Sequence, residues 1–164
     1  MQAPSVHHHK AINRVLRYIK GSSAHSIFFP SESDMKLKAF SDSDWASCDI
    51  MRKSTTGYCI FIGSSLVSWK TKNQSTVSRS SSKAEYRALT TTVCELQWLT
   101  FLLHDLQIST TTPASLFCDN QATQHITMNL VFHERTKHID IDCHVVREKL
   151  QVGLFHLLPI KGTE

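Results

Sequence analysis

Three acidic side chains lie where predicted secondary-structure elements begin or end. Asp42 closes the alternating strand pattern of residues 35–42, and Asp119 closes a short strand pattern. Glu85 heads the inward stripe of a long predicted helix, where a carboxylate is costly unless its charge is compensated. Acids that meet repel one another unless cations bridge them, so the pattern indicates a site for Mg²⁺ or Mn²⁺. Two such ions activate a water and stabilise the leaving oxygen of a phosphodiester.

Each of these acids also has a purely structural explanation. Aspartate favours turns and strand ends, and short polar side chains cap helices. A serine three residues before a glutamate has the spacing of a capping box, in which the glutamate bonds its own helix start. These alternatives are the turn pair Asp42 and Asp44, the capping-box pair Ser82 and Glu85, and the potential cap Asp119.

The elements that must position the acids follow the order β-β-β-α-β-α-α-β, after one N-terminal helix. The strand patterns cover residues 35–42, 56–63, 65–70, 114–119 and 154–160. The helix patterns cover residues 7–20, 82–106, 121–129 and 139–150, with Asn120 as a potential cap. Two hairpins followed by strand–helix alternation predict an α/β fold with a five-stranded mixed sheet flanked by helices.

Composition narrows the class of protein. A chain of 164 residues with 41 % hydrophobic residues predicts a single core, and the N-terminus lacks the order of a signal peptide. We therefore expect a soluble intracellular protein. The five cysteines are scattered without a C-x-x-C pair, which predicts buried thiols instead of a disulfide framework or zinc site. The net charge is +4, and the excess of positive charge lies in the N-terminal half of the chain. Such a distribution is typical of a protein that binds a negatively charged partner.

Six segments of the chain resemble one known family. They are FSDSDWASC, RKSTTGYCIFIGSSLVSWKTKNQSTVSRSS, KAEYRAL, ELQWL, LFCDNQA and VFHERTKHIDIDCHVVREKL. Together they are similar to the ribonuclease H region of copia-type LTR retrotransposon Pol polyproteins. HKAINRVLRYIKG resembles the tail of the preceding reverse transcriptase. The resemblance implies a reverse transcriptase remnant over residues 1–30 and a ribonuclease H-like domain over residues 31–164.

The resemblance also implies a chemistry. Ribonuclease H-like domains use two Mg²⁺ or Mn²⁺ ions to cleave the RNA strand of an RNA/DNA hybrid. Matched by motif, Asp42, Glu85 and Asp119 are the catalytic and metal-binding residues, and Asp44 is not required as a ligand. The family has a fourth carboxylate on a helix after the last strand, which we expect to be missing here. One ion would then bind weakly and activity would be impaired. Asp140 precedes the last strand, as does Asp142, so neither is a good topological substitute.

The implied partners are an RNA/DNA hybrid and the reverse transcriptase portion of the same polyprotein, with no membrane. We expect the protein in the cytoplasm, within a virus-like particle, or in the nucleus. A hybrid would be held through phosphates and 2′-hydroxyls by the hairpin and the loop before the long helix. The candidate residues are Arg52, Lys53, Lys70, Lys72, Asn73, Gln74, Ser78 and Arg79.

Two other functions remain open from the sequence. The first is a ribonuclease H-like remnant that binds nucleic acid or acts as a scaffold without turnover. The second is an integrase-like nuclease, in which the glutamate follows both aspartates. The order here is Asp42, Glu85, Asp119, which argues against an integrase.

Overall fold

A computed structural model describes residues 4–23, 25–108, 110, 112–128 and 140–160. The nine elements within these ranges follow the order that the sequence predicts. The helices are α1 (Val6–Gly21), α2 (Ser81–Asp105), α3 (Gln121–Met128) and α4 (Asp140–Gln151). The strands are β1 (Leu37–Asp44), β2 (Thr55–Ile62), β3 (Ser65–Asn73), β4 (Ala114–Cys118) and β5 (Phe155–Pro159).

The five strands form one mixed sheet in the order β3-β2-β1-β4-β5. β1 pairs antiparallel with β2 and parallel with β4, so it lies at the centre of the sheet. The pairing of Ser41 with Cys118 brings the carboxyl ends of β1 and β4 to the same edge. Asp42 and Asp119, each one residue beyond this pair, therefore lie at that edge too.

The core lies between one face of the sheet and the helices. Side chains that alternate along the strands, including Ala39 of β1 and Leu116 of β4, pack against the buried stripe of α2. Val146 of α4 joins the same cluster. The predicted stripe of α2 is buried from Glu85 to Leu103. Leu106, the last residue of the predicted helix range, lies one residue beyond the end of α2 and is exposed.

The opposite face of the sheet is more open. Phe40 stacks on Phe117 with ring centroids 4.9 Å apart and meets Phe61 edge-on at 6.0 Å. Phe40 and Trp69 nevertheless remain exposed. Along β1, buried and exposed residues alternate without interruption, which places Asp42 and Asp44 on this open face.

Helix α1 does not contribute to the buried core. None of its residues is buried, although Ile12, Val15, Leu16 and Ile19 form one apolar side. The helix lies within the predicted N-terminal segment of residues 1–30, and the domain boundary at residue 30 stays a prediction. Across the part of the chain that the structure describes, no helix combines the length and apolar character needed to cross a membrane.

Candidate active site

Glu85 lies in the second turn of α2 and points into the interior. The N-cap of this helix is Ser80, whose Oγ accepts a hydrogen bond from Lys83 N at 3.3 Å. Ser82 is inside the helix, so the capping-box explanation of Glu85 does not hold. The side chain is only 7 % exposed, and Oε2 has no hydrogen-bond partner among the described residues. A buried carboxylate oxygen without a partner is costly, which indicates that the fold leaves this oxygen for a ligand.

Two residues at the end of β4 lie next to Glu85. Cys118, the last residue of the strand, points inward because alternate residues of β4 are buried. Asp119 follows it and is exposed. One carboxylate oxygen of Glu85, Cys118 Sγ and one carboxylate oxygen of Asp119 all lie within 4.8 Å of one another. Two of the three predicted acids are thus close enough to share one cation.

Asp42 approaches the same place from the other face of the sheet. It is not a member of the group within 4.8 Å. Its charge nevertheless raises the pKa of Glu85, and its effect is larger than that of Asp119. The two observations are compatible, because the group requires each atom to be close to all the others, including Cys118. Asp42 therefore lies close to Glu85, while its side chain is directed toward the open face.

Ser43, the residue after Asp42, faces the helix side of β1 and is buried. The Ser43 hydroxyl and backbone amide lower the pKa of Glu85, so they lie near its carboxylate. They do not complete its hydrogen bonding, because both Ser43 Oγ and Glu85 Oε2 lack a partner among the described residues. The site therefore has one buried side, with Glu85 and Ser43, and one open side, with Asp42.

The pKa of Glu85 is raised to about 7, chiefly by burial and then by the charges of Asp42 and Asp119. Burial raises the pKa of the Cys118 thiol to about 11, and the same three acids add to the effect. In both cases burial disfavours the charged form most, and the neighbouring carboxylates disfavour it further. A bound cation would offset both effects.

The donor set fits a divalent metal ion. Carboxylate oxygens are the ligands that Mg²⁺ and Mn²⁺ prefer, and the unpartnered Glu85 Oε2 is an oxygen that a cation would satisfy. Asp119 and Asp42 would supply the remaining protein oxygens. The Cys118 thiol is a poor ligand for a hard ion, so it is a neighbour of such an ion and not part of its coordination.

Comparisons with known proteins identify homologues of the chain and its fold. No family model matches the chain. The Pol polyprotein of transposon RE1 from Arabidopsis thaliana, described as retrovirus-related, is 39 % identical over 160 residues, which is 98 % of this chain and 11 % of the relative. The retrovirus-related Pol polyprotein of transposon TNT 1-94 from Nicotiana tabacum is 34 % identical over 164 residues, which is 100 % of this chain and 12 % of the relative. The chain thus spans about a tenth of the length of these curated relatives.

Its homologues are retrovirus-related Pol polyproteins of transposons, of which it matches one part. Its fold is that of ribonuclease H. The solved structure of LC11-RNase H1, isolated from compost, superposes with a TM-score of 0.57 and 14 % identity, covering 77 % of this chain and 84 % of that one. The same enzyme in complex with an RNA/DNA hybrid gives a TM-score of 0.55 and 11 % identity, covering 76 % and 83 %. These likenesses establish the ribonuclease H-like fold that the sequence predicts.

On this ribonuclease H fold, part of the predicted nucleic-acid surface is exposed. A cleft of about 570 Å³ beside the edge strand β3, which we call the basic cleft, is lined by Lys70, Lys72 and Asn73. Arg87 of α2 forms the facing wall and adds a third positive charge that the sequence did not single out. Arg52 and Arg79 are also exposed and Lys53 is partly so, but none of the three lines this cleft.

Gln74 and Ser78 are buried, although Gln74 also lines the basic cleft, and their contacts with nucleic acid stay a prediction. Gln74 Nε2 donates to Thr56 Oγ1 at 3.1 Å and to the Ala84 carbonyl at 2.9 Å. Gln74 Oε1 accepts from Ser78 Oγ at 3.0 Å. The Ser78 carbonyl in turn accepts from Trp45 Nε1 at 3.0 Å. This network joins the end of β1 to the start of α2, so it holds the elements that carry Asp42 and Glu85.

The remaining acids occupy other positions. Asp44 lines a cleft of about 540 Å³ on the open face together with Asp42 and Asn73. Asp142 lines the basic cleft, where burial raises its pKa and Arg87 and Lys83 oppose the shift. The side chain of Asp140 is outside the described residues, and the expected absence of the fourth carboxylate stays a prediction.

Cys118 is the residue at the site whose position the sequence did not single out. The signal was the alternation in LFCD, which places Leu116 and Cys118 on the same inward face and leaves Asp119 at the strand end. The scattered cysteines predicted only buried thiols. Cys118 is indeed buried, but it is buried against two carboxylates.

Proposed function

We propose that the chain is a divalent-metal-dependent endonuclease that cleaves the RNA strand of RNA/DNA hybrids during reverse transcription. The observation that supports this most is Glu85, whose buried Oε2 has no partner among the described residues and whose carboxylate has an oxygen within 4.8 Å of one of Asp119. In a ribonuclease H fold, an unsatisfied carboxylate at the carboxyl end of the central strands is best explained by a metal ion. The match to transposon Pol polyproteins supplies the biological setting.

Asp42, Glu85 and Asp119 would hold the metal ions, Mg²⁺ or Mn²⁺. When bound, these ions activate the attacking water and stabilise the charge on the leaving oxygen. Asp42 lies on the open face, so it would contact the ions from the side on which the sheet is accessible to a duplex. Glu85 and Ser43 close the opposite side and exclude water from it, which strengthens the interaction between Glu85 and a cation.

The substrate would be held by its backbone. Lys70, Lys72 and Arg87 place three positive charges around one cleft, and phosphate contacts of this kind do not depend on base sequence. Asn73 lines both this cleft and the one that contains Asp42, so a bound backbone could continue from the basic cleft toward the acids. The hybrid in the complex of LC11-RNase H1 supports a hybrid as the ligand class.

The test is cleavage of a hybrid with labelled RNA in Mg²⁺ by the wild-type chain and by the Asp42→Asn, Glu85→Gln and Asp119→Asn variants. We expect RNA cleavage that each substitution reduces by at least about a hundredfold, because each removes a charge that holds the metal. Glu148→Gln, an exposed change on α4, is the matched control. Hybrid binding without any cleavage would instead support a remnant that only binds nucleic acid. Cleavage that survives all three substitutions would overturn the proposed site.

A further inference from the structure

We propose that Glu85, Cys118 and Asp119 form a binding site for Zn²⁺, in which the Cys118 thiolate is a ligand, and that Zn²⁺ at this site displaces Mg²⁺. The binding itself stands on the geometry of the three residues. The inhibition that we expect from it rests on the proposed nuclease function.

The three donor atoms are already close together. Zn²⁺ binds thiolate sulfur at about 2.3 Å and carboxylate oxygen at about 2.0–2.2 Å. In tetrahedral geometry two such ligands lie about 3.3–3.6 Å apart. The donor atoms of Glu85, Cys118 and Asp119 lie within 4.8 Å of one another, so side-chain movements of about 1 Å bring them around one ion. Three protein ligands leave the fourth tetrahedral position for water.

Glu85 provides a second and independent indication that this group binds a ligand. The side chain is more than nine-tenths buried, and its Oε2 has no hydrogen-bond partner among the described residues. The oxygen is therefore desolvated without compensation in the metal-free protein. A cation between Glu85 and Cys118 would satisfy it.

The third donor distinguishes the two metals. Mg²⁺ requires oxygen ligands and takes them from Asp42 together with Glu85 and Asp119. Zn²⁺ accepts thiolate readily, and Cys118 offers sulfur on the buried side, whereas Asp42 is not in the group. When the zinc–sulfur bond forms, the thiol proton is released to solvent. The two ions share Glu85 and Asp119, so they cannot bind there together.

Other metal-binding side chains must be separated from this site in an experiment. His7, His8 and His9 are exposed on α1 and would bind Zn²⁺ through nitrogen. Cys94 is exposed, and Cys48 lines the open-face cleft with Asp42. A probe that responds only to thiolate ligation, with serine variants of these cysteines, separates them.

The experiment titrates the metal-free chain with CdCl₂, because Cd²⁺ is a thiophilic substitute for Zn²⁺ whose bonds to thiolate absorb in the ultraviolet. We expect one equivalent of Cd²⁺ to produce this absorption in the wild type, in Cys94→Ser, in Cys48→Ser and in a variant with His7, His8 and His9 changed to alanine. Cys118→Ser should lose the band, and its Zn²⁺ affinity should fall at least about tenfold. Glu85→Gln, which keeps the thiol, should also weaken Zn²⁺ binding by about tenfold.

Zn²⁺ added to hybrid cleavage in Mg²⁺ tests the consequence. Relative to each variant's own activity in Mg²⁺, inhibition by ZnCl₂ should require at least about ten times more zinc in Cys118→Ser than in Cys94→Ser. A band that persists in Cys118→Ser, or Zn²⁺ binding that only the histidine variant removes, overturns the zinc site. If the wild-type chain shows the cadmium–thiolate absorption but does not cleave the hybrid, the nuclease function is contradicted and the zinc site is supported. If the wild-type chain cleaves the hybrid but shows no such absorption, the zinc site is contradicted and the nuclease function is supported.

Discussion

Glu85 and Asp119 lie with carboxylate oxygens within 4.8 Å of each other, although one is buried in a helix and the other is exposed after a strand. The two acids are 34 positions apart in the sequence. Their approach concentrates negative charge where there is little water, which is unfavourable for the metal-free fold. That charge and the hydrogen bonds around it should therefore affect the stability of the protein, its dependence on pH and the binding of metal ions.

Glu85→Gln should stabilise the metal-free protein near neutral pH while it removes metal binding. The neutral amide keeps the shape of the side chain and ends the repulsion from Asp42 and Asp119. We expect the free energy of unfolding to rise by about 1–3 kcal/mol at pH 8. Denaturant unfolding measures the gain, and calorimetric titration with MgCl₂ measures the reduction in binding. Glu148→Gln, which is exposed, should change neither quantity.

The stability of the metal-free protein should fall as pH rises from 4.5 to about 7. The pKa of Glu85 is raised from 4.5 to about 7 in the folded state, so the folded protein binds this proton more tightly than the unfolded chain does. Stability from the protonated form is complete at low pH and is lost as pH rises through this interval. Unfolding curves across the interval test this, and Glu85→Gln should remove the slope. Excess Mg²⁺ should also flatten it, because a bound cation favours the carboxylate. A slope of the opposite sign that Glu85→Gln removes would contradict the raised pKa.

Asp42→Asn should lower the pKa of Glu85. Of the two neighbouring charges that raise this pKa, that of Asp42 has the larger effect. The same change should weaken Mg²⁺ binding, since it removes one of the charged oxygen ligands. Carboxyl carbon NMR of Glu85 measures the pKa, and the MgCl₂ titration measures affinity. Asp44→Asn is the control, because Asp44 lies on the same face two residues later and is not among the charges acting on Glu85. Equal effects of both substitutions would contradict the specific role of Asp42.

Gln74→Ala should destabilise the protein by about 1–3 kcal/mol, because it leaves buried polar groups without partners. Gln74 bonds Thr56, Ala84 and Ser78 in a buried network that joins the sheet to the start of α2. Ser75→Ala, an adjacent exposed change, should be within about 0.5 kcal/mol of the wild type. Chemical unfolding of both variants checks this, and equal stabilities would show that the network does not support the fold.

Lys70→Ala and Lys72→Ala should weaken hybrid binding and reduce its salt dependence by about one unit of slope for each phosphate that the protein no longer neutralises. Both lysines line the basic cleft. Lys36→Ala is the control, because Lys36 is exposed and precedes the opposite end of β1 from Asp42. Fluorescence anisotropy over a series of salt concentrations measures the slope. An unchanged slope in both cleft variants would exclude phosphate binding there.

Local patterns were enough to predict most of the elements. The alternation over residues 35–42 and the four-and-three spacing in α2 each indicate which side chains face the core. In a strand or a helix, side chains a few residues apart point in the same direction. The cap at Asn120 was also predictable, and its Oδ1 accepts from Thr123 N at 2.9 Å. The capping-box alternative would put the cap of α2 at Ser82, whereas the cap is Ser80, which has the extended backbone of an N-cap residue.

The loop before α2 shows where local patterns fail. Gln74 and Ser78 have polar side chains in a polar segment, so they were predicted to contact nucleic acid. Their partners Thr56, Ala84 and Trp45 come from other elements, and a hydrogen bond between distant segments has no signature in sequence spacing. Arg87 was overlooked for the related reason that its cleft is completed by β3.

The sequence by itself was enough to predict the order of the elements, the resemblance to transposon Pol polyproteins and the three candidate acids, because motif and periodicity are properties of neighbouring residues. Only the tertiary structure decided that Glu85 is buried without a hydrogen-bond partner for Oε2 among the described residues, that Asp42 approaches from the other face, and that Cys118 lies among the acids. Those facts depend on how α2 packs across β1 and β2, and on the parallel pairing of β1 with β4. Packing between distant segments is set by the sum of many weak contacts, which no single stretch of sequence contains.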